Sequence, residues 1–150
     1  MGLIKDIHQT GFRNAYNEAM INLLFTNNWM VEKIKEFVKQ EGITPQQYNI
    51  LRILRRSDKP ISTLQIRERM LDKMSDTSRI VERLVVKGFV KKAVSEKDKR
   101  LVDVEITHEG LEVLDKLDQR NKELDDIFHN ITEEEALQLS QMLDKIRNHQ

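Results

Sequence analysis

One stretch breaks the pattern of the whole chain: residues 95–110, SEKDKRLVDVEITHEG. Elsewhere apolar residues recur at helical spacing, but Leu101-Val102-Asp103-Val104-Glu105-Ile106 alternates with a period of two, as a strand with one buried face does. Phe89 to Val94 precedes it, and the charged turn Glu96-Lys97-Asp98-Lys99-Arg100 joins the two runs. The spacing predicts a hairpin over Phe89–Val94 and Leu101–Ile106. An isolated hairpin is at best marginally stable in water, so this one must pack on the helices around it. The expected fold class is mainly α with a small β-hairpin, whose tip carries three cations.

The helical remainder is punctuated by caps. Phe12 to Gln40 reads as one long helix, closed by Gly42 at the position past its end. Thr44-Pro45-Gln46-Gln47 supplies an N-cap, a proline at the first helical position and a glutamine at N3. The helix it opens ends near Arg56, and Ser57-Asp58-Lys59-Pro60 is a turn. Ser62 and Gln65 form a second capping box, with Ile61 and Ile66 as its hydrophobic staple. The third helix is short, because Asp72 can cap a fourth that starts at Lys73 and stops at Gly88. Thr107 caps a fifth, and Thr132 a sixth with Glu133, Glu134 and Glu135 in its first turn, where the helix dipole favours acids. Leu114, Leu117, Asn121, Leu124, Phe128 and Ile131 step by three and four, a coiled-coil spacing that Leu139, Met142, Leu143 and Ile146 continue. The seam predicts a homodimer, with Asn121 fixing register across the two-fold axis. A monomer that buries its 1–40 helix in cis is the alternative.

Length and composition bound the function. The 150 residues suit one domain spanning 1–150. Net charge is zero, yet residues 52–100 hold 15 Lys/Arg against 7 Asp/Glu, and residues 101–150 hold 5 against 13. A basic middle beside an acidic tail points to a polyanionic partner met by the middle alone. The absence of cysteine excludes disulfides and thiol-based sensing, and fits a reducing compartment. No apolar run exceeds three residues, so no membrane span is expected. The N-terminus also lacks the apolar core of a signal peptide, and the expectation is a cytoplasmic protein. Five scattered glycines make no phosphate-cradling loop, and no serine or threonine sits in a nucleophile elbow. His8, His108, His129 and His149 lack metal-ligand spacing. Neither an enzyme, a cofactor nor a metal site is expected.

The fourth helix shows what the basic middle could meet. Met74, Thr77, Ile80, Val81, Leu84 and Val85 fall on one arc. Ser75, Asp76, Arg79, Glu82, Arg83 and Val86 fall on the other, with Ser78 at the border and Lys87 nearby. Short polar groups with arginines one turn behind suit entry into the major groove of double-stranded DNA. Arg79 can reach a guanine bidentately, while Arg83 and Lys87 can reach phosphates. Lys97, Lys99 and Arg100 on a projecting turn suit a narrow minor groove. Asp98 would hold Arg100 or cap the turn so that the cations point outward. Asp76 opposes binding unless it accepts from a cytosine amino group or caps the helix.

With these residues on view, the chain resembles the MarR (multiple antibiotic resistance regulator) family of winged helix-turn-helix transcription factors. The resemblance is carried by Ser75-Asp76-Thr77-Ser78-Arg79-Ile80-Val81-Glu82-Arg83-Leu84, Lys87-Gly88-Phe89-Val90, Asp98-Lys99-Arg100 and Val104-Glu105-Ile106-Thr107-His108-Glu109-Gly110. It implies a winged helix-turn-helix lobe over about 44–106 and dimerisation helices over about 1–42 and 107–150. It also implies a homodimer on a pseudo-palindromic operator, the Ser75–Lys87 helix in the major groove and the Lys97–Arg100 wing in the minor groove. Many members release DNA when a small aromatic or anionic effector binds between the dimer helices and the lobe, and Trp29 and Tyr48 are the candidates to line such a pocket here. The expected function is therefore a dimeric, sequence-specific transcriptional regulator, a repressor released by a small molecule. A winged-helix module for protein contacts is the rival, distinguished by a weak response of its binding to salt.

Overall fold

Side-chain caps set most of the helix starts. The structure, a computed structural model, describes residues 2–148. In chain order it contains α1 (Leu3–Asp6), α2 (Ala15–Lys39), α3 (Pro45–Arg56), β1 (Ile61–Ser62), α4 (Thr63–Arg69) and α5 (Thr77–Val86). There follow β2 (Val90–Val94), β3 (Val102–Ile106), α6 (His108–Asp118), α7 (Asn121–Asp125), a 3-10 turn at Asp126–Phe128 and α8 (Glu133–Arg147). Thr44 with Gln47, Ser62 with Gln65 and Thr132 with Glu135 each form a reciprocal capping box. The sequence shows the cap in all three, while the reciprocal bond in which Glu135 accepts from the Thr132 N–H emerges only in the structure. Each box satisfies two donors that a helix start otherwise leaves orphaned.

The hairpin gains a third strand. β1 pairs antiparallel with β3, giving the order β1-β3-β2, with Ile61 opposite Val104 and Val94 opposite Val102. Ile61 thus both staples α4 and extends the sheet, a role that two residues are too few to announce by periodicity. One face of the sheet carries Val90, Val104 and Ile61 into a core with Ile50, Leu51, Ile66, Val81 and Leu84. Val113, Leu114 and Leu117 of α6 enter the same core. The expected seam toward a second copy is therefore wrong at its start: Leu114 and Leu117 are fully buried inside the lobe.

The fifth helix is also not continuous. It stops at Asp118, and Arg120 (φ −110°, ψ 13°) leaves helical geometry before α7 begins at Asn121. Arg120 turns its guanidinium back to the Phe37 carbonyl at 3.1 Å and to Glu123 at 2.6 Å. Asn121 is exposed at the start of α7.

Two other boundaries move for capping reasons. α2 starts at Ala15 rather than Phe12, because Asn14 accepts from the Asn17 N–H and fixes the first turn. The larger correction is α5. Asp72 does not open a helix at Lys73; its carboxylate accepts from the Met74 N–H at 3.0 Å and holds a turn. Asp76 caps the helix instead, accepting from the Arg79 N–H at 3.2 Å. Met74, assigned from the sequence to the buried arc, is consequently 93% exposed.

Candidate nucleic-acid interface

α5 follows α4 across a turn, and its two faces separate cleanly. Thr77, Val81 and Leu84 are buried, while Ser78, Arg79, Glu82 and Arg83 are exposed. Gly88 closes the helix at φ +79°, a conformation that glycine adopts without the penalty other residues meet. Among the described residues no ion pair engages Arg79 or Arg83. Ser75 lies just before the helix, half-buried, and its hydroxyl donates to the Asp72 carbonyl at 2.7 Å. With its proton committed, Ser75 is left to act as an acceptor. Asp76 is exposed and caps the helix by accepting from the Arg79 N–H, so its negative charge is partly offset by the helix N-terminus.

Lys87 is less available than its spacing suggests, because its ammonium donates to the Gly42 carbonyl. Glu82 is engaged too, in an ion pair with Lys92 of β2. That pair ties the exposed face of α5 to the base of the hairpin, a connection invisible in sequence because the partners lie on different elements.

The hairpin tip is wired from within. Buried Ser95 accepts from the Lys97 and Asp98 N–H groups at 3.3 and 3.4 Å, and the Leu101 N–H donates to the Asp98 carbonyl at 2.9 Å. Asp98 accepts from the Arg100 backbone at 3.0 Å and from its guanidinium at 3.1 and 3.0 Å. The Asp98 carboxylate therefore both shapes the turn and holds Arg100. These contacts, the guanidinium first, keep its carboxyl below the ordinary carboxylate range and raise Arg100 above its usual value. Lys97, Lys99 and Arg100 are all exposed around this fixed loop.

Trp29 and Tyr48 occupy different settings. Trp29 is 44% exposed on α2, with the Lys33 ammonium 5.7 Å from its ring centre. Tyr48 is buried, edge-on to Phe37 at 6.2 Å between ring centres, with the Arg52 guanidinium 5.4 Å from its ring. A cleft of about 210 Å³ is lined by Lys33, Phe37, Arg120 and Leu124 among others. An open groove of about 700 Å³ lies along Phe128, Ile131, Ala136, Leu139 and Leu143. Neither includes Trp29 or Tyr48. Among the described residues no three His, Asp or Glu side chains gather as a metal set, and His149 lies outside those residues. No helix among them is long and apolar enough to cross a membrane.

Comparison with known proteins agrees with this geometry. A family model described as MarR family matches residues 41–101. The transcriptional repressor MdtR of Bacillus subtilis is 29% identical over 112 residues, covering 74% of this chain and 72% of that protein. A cysteine-to-serine mutant of MarR from E. coli, solved in complex with operator DNA, superposes with a TM-score of 0.77 at 22% identity, over 97% of this chain and 99% of that one. The organohalide-sensing regulator RdhR in its 2,4-dichlorophenol-bound form gives a TM-score of 0.78 at 20% identity, over 87% and 78% of the two chains.

Proposed function

We propose that this chain, which is similar to MarR-family regulators over its winged helix-turn-helix lobe, is a dimeric, sequence-specific DNA-binding transcriptional regulator, a repressor released by a small molecule. One observation carries the reading. Ser78, Arg79 and Arg83 face solvent from a helix whose other side is fully packed, and a wired cationic wing follows it immediately. In such an arrangement the helix reads base edges in the major groove, and the wing's cations sit in the minor groove or on phosphates. We assign base reading to Ser75, Ser78 and Arg79, helix capping to Asp76, phosphate contact to Arg83, and wing contact to Lys97, Lys99 and Arg100.

Dimerisation is supported by what one copy leaves uncovered. Only Phe37 and Val38 of α2 are buried, whereas Tyr16, Met20, Leu24, Phe25, Trp29 and Val31 stand exposed. Phe128, Ile131, Leu139, Met142 and Ile146 are exposed as well. Apolar surface of that extent marks an interface, and α2 is not folded back over the chain in cis. We place the lobe at about 44–106 and the dimerisation helices at about 1–42 and 107–150, with α6 joining the two by its buried side. Two lobes related by a two-fold axis land on half-sites about one helical turn apart, which makes the operator pseudo-palindromic. The work is done in the cytoplasm, with no cofactor.

For the effector we propose a small aromatic or anionic molecule, with Trp29 and Tyr48 as the side chains to test first. The half-exposed indole supports this better than the phenol, which is committed to Phe37 and Arg52. Since Trp29 is the single tryptophan, its fluorescence reports binding at that place directly. The regulator reading is tested by selecting duplexes from a random pool with the full-length protein, then titrating salt. Enrichment of an inverted repeat and a log–log slope of about −0.9 per phosphate contacted are expected. A monomer with no sequence preference refutes it.

A further inference from the structure

The turn between α4 and α5 leaves two large apolar side chains in water: Leu71 is 83% exposed and Met74 93% exposed. Their backbones are nevertheless held. Asn49 accepts from the Leu71 N–H at 3.0 Å, and Asp72 accepts from the Met74 N–H at 3.0 Å. The Lys73 ammonium donates to the Arg67 and Glu68 carbonyls, closing the end of α4. An ordered turn that projects uncovered apolar groups gains nothing from them in the isolated protein. Neighbouring Met70, at 2% exposed, shows that the same turn can bury a methionine where the fold calls for one.

Position and charge say what covers them. The turn runs straight into Ser75 and Asp76, at the N-terminal end of α5, and it is that end of a reading helix that meets base edges. Of the exposed charged residues from Arg67 to Arg79, four are cations (Arg67, Arg69, Lys73 and Arg79) and three are acids (Glu68, Asp72 and Asp76). Asp72 and Asp76 accept from backbone N–H groups of the turn and of α5. A polyanion is drawn to such a site, whereas an apolar protein partner would have to desolvate those cations. On the floor of the major groove the apolar group is the C5-methyl of thymine.

We propose that Met74, with Leu71 beside it, packs on thymine methyl groups in the major groove, so that the turn before α5 reads sequence together with the helix. This rests on the DNA-binding function proposed above. The thioether suits the task, because its flexible, polarisable chain adapts to a methyl whose position varies with local DNA shape.

The test uses duplexes selected by the full-length protein, with each thymine of the half-site replaced in turn by deoxyuridine, which deletes only the methyl. Wild-type binding should weaken by about fourfold per methyl removed at one or two positions in each half-site, the worth of one buried carbon. Met74→Ala should bind the thymine and deoxyuridine duplexes equally well while keeping the wild-type salt slope. Since the side chain is exposed, its thermal midpoint should match wild type. Equal wild-type affinity for thymine and deoxyuridine at every position overturns the inference with DNA binding intact. So does a Met74→Ala protein that keeps the preference, unless Leu71→Ala removes it, in which case Leu71 carries the contact. Failure to enrich any sequence overturns the regulator reading, and this inference with it.

Discussion

Gly110 lies against the carbonyl of Phe89 so closely that a Cβ at position 110 would sit 2.3 Å from that oxygen and 2.7 Å from Cγ1 of Ile106. The same carbonyl accepts from the Thr107 N–H at 3.0 Å, and the Thr107 hydroxyl donates to the Gly88 carbonyl at 2.6 Å. Thr107 Oγ1 in turn accepts from the Gly110 N–H at 3.2 Å, capping α6. Thr107 and Gly110 therefore clamp the start of α6 onto the chain where α5 ends and β2 begins. The pattern in the sequence was a cap and a glycine; its reason is backbone-to-backbone contact across the base of the wing.

Gly110→Ala should accordingly destabilise the fold by about 2–3 kcal/mol, since backbone atoms cannot yield as a flexible side chain would. Urea unfolding followed by circular dichroism reads this as a lower midpoint at unchanged slope. A midpoint equal to wild type would mean that the carbonyl moves aside freely.

Thr77 makes the opposite case. Its side chain is completely buried at the start of α5, and among the described residues its hydroxyl finds no hydrogen-bond partner. Burying an unsatisfied hydroxyl costs about 1–3 kcal/mol. Thr77→Val keeps the shape and removes that penalty, so it should raise stability by about 1 kcal/mol or more. A lower thermal midpoint in differential scanning calorimetry would show that the hydroxyl is partnered in solution.

How much of this was legible beforehand depended on whether a signal was local. Thr44, Ser62, Thr107 and Thr132 were readable as caps because each bond spans three residues. The choice between Asp72 and Asp76 was not, because both are good caps four residues apart, and the Leu71 N–H that ends the preceding turn is held by Asn49, which is distant in sequence. Leu114 and Leu117 show the same limit: a three-four spacing states that a face is apolar, not whether it meets its own lobe or another chain. At the candidate interface, Arg79, Arg83 and the wing cations stood out by spacing and charge. The Glu82–Lys92 pair and the hold of Gly42 on Lys87 did not, since they join residues distant in sequence.

The Asp98–Arg100 contact predicts a definite response to pH. Because the folded carboxyl titrates below its ordinary value of 3.8, the order it confers is complete above that value. It is lost only as pH falls through the depressed folded value. The Arg100 backbone amide resonance should therefore stay constant from neutral pH down to the ordinary carboxylate range, then shift below it. Asp98→Asn should abolish that shift. An inflection at or above the ordinary value would mean that the ion pair does not persist in solution.

Replacing Lys97, Lys99 and Arg100 together by Ala removes three cations from an exposed loop without touching the core. If all three meet phosphates or the minor groove, the salt slope of DNA binding flattens by about 2–3 units. Fluorescence anisotropy across a salt series measures it. An unchanged slope would place the wing away from the duplex.

Arg79 carries the most specific expectation. Its backbone N–H is fixed by Asp76 at 3.2 Å, so the residue sits in the first turn of α5, while its side chain stands exposed on the outer face. A guanidinium there can donate two parallel bonds to O6 and N7 of guanine, a pattern no other base pair offers. Arg79→Ala should thus weaken binding to the selected operator by about 1–3 kcal/mol and relax discrimination at one base pair in each half-site. Arg83→Ala, by contrast, should weaken all sequences about equally and flatten the salt slope by about one unit. Affinity measured on a panel of single-base operator variants separates the two. Uniform loss on every variant with Arg79→Ala would reassign that residue to the phosphates and leave base reading to the serines and the turn before them.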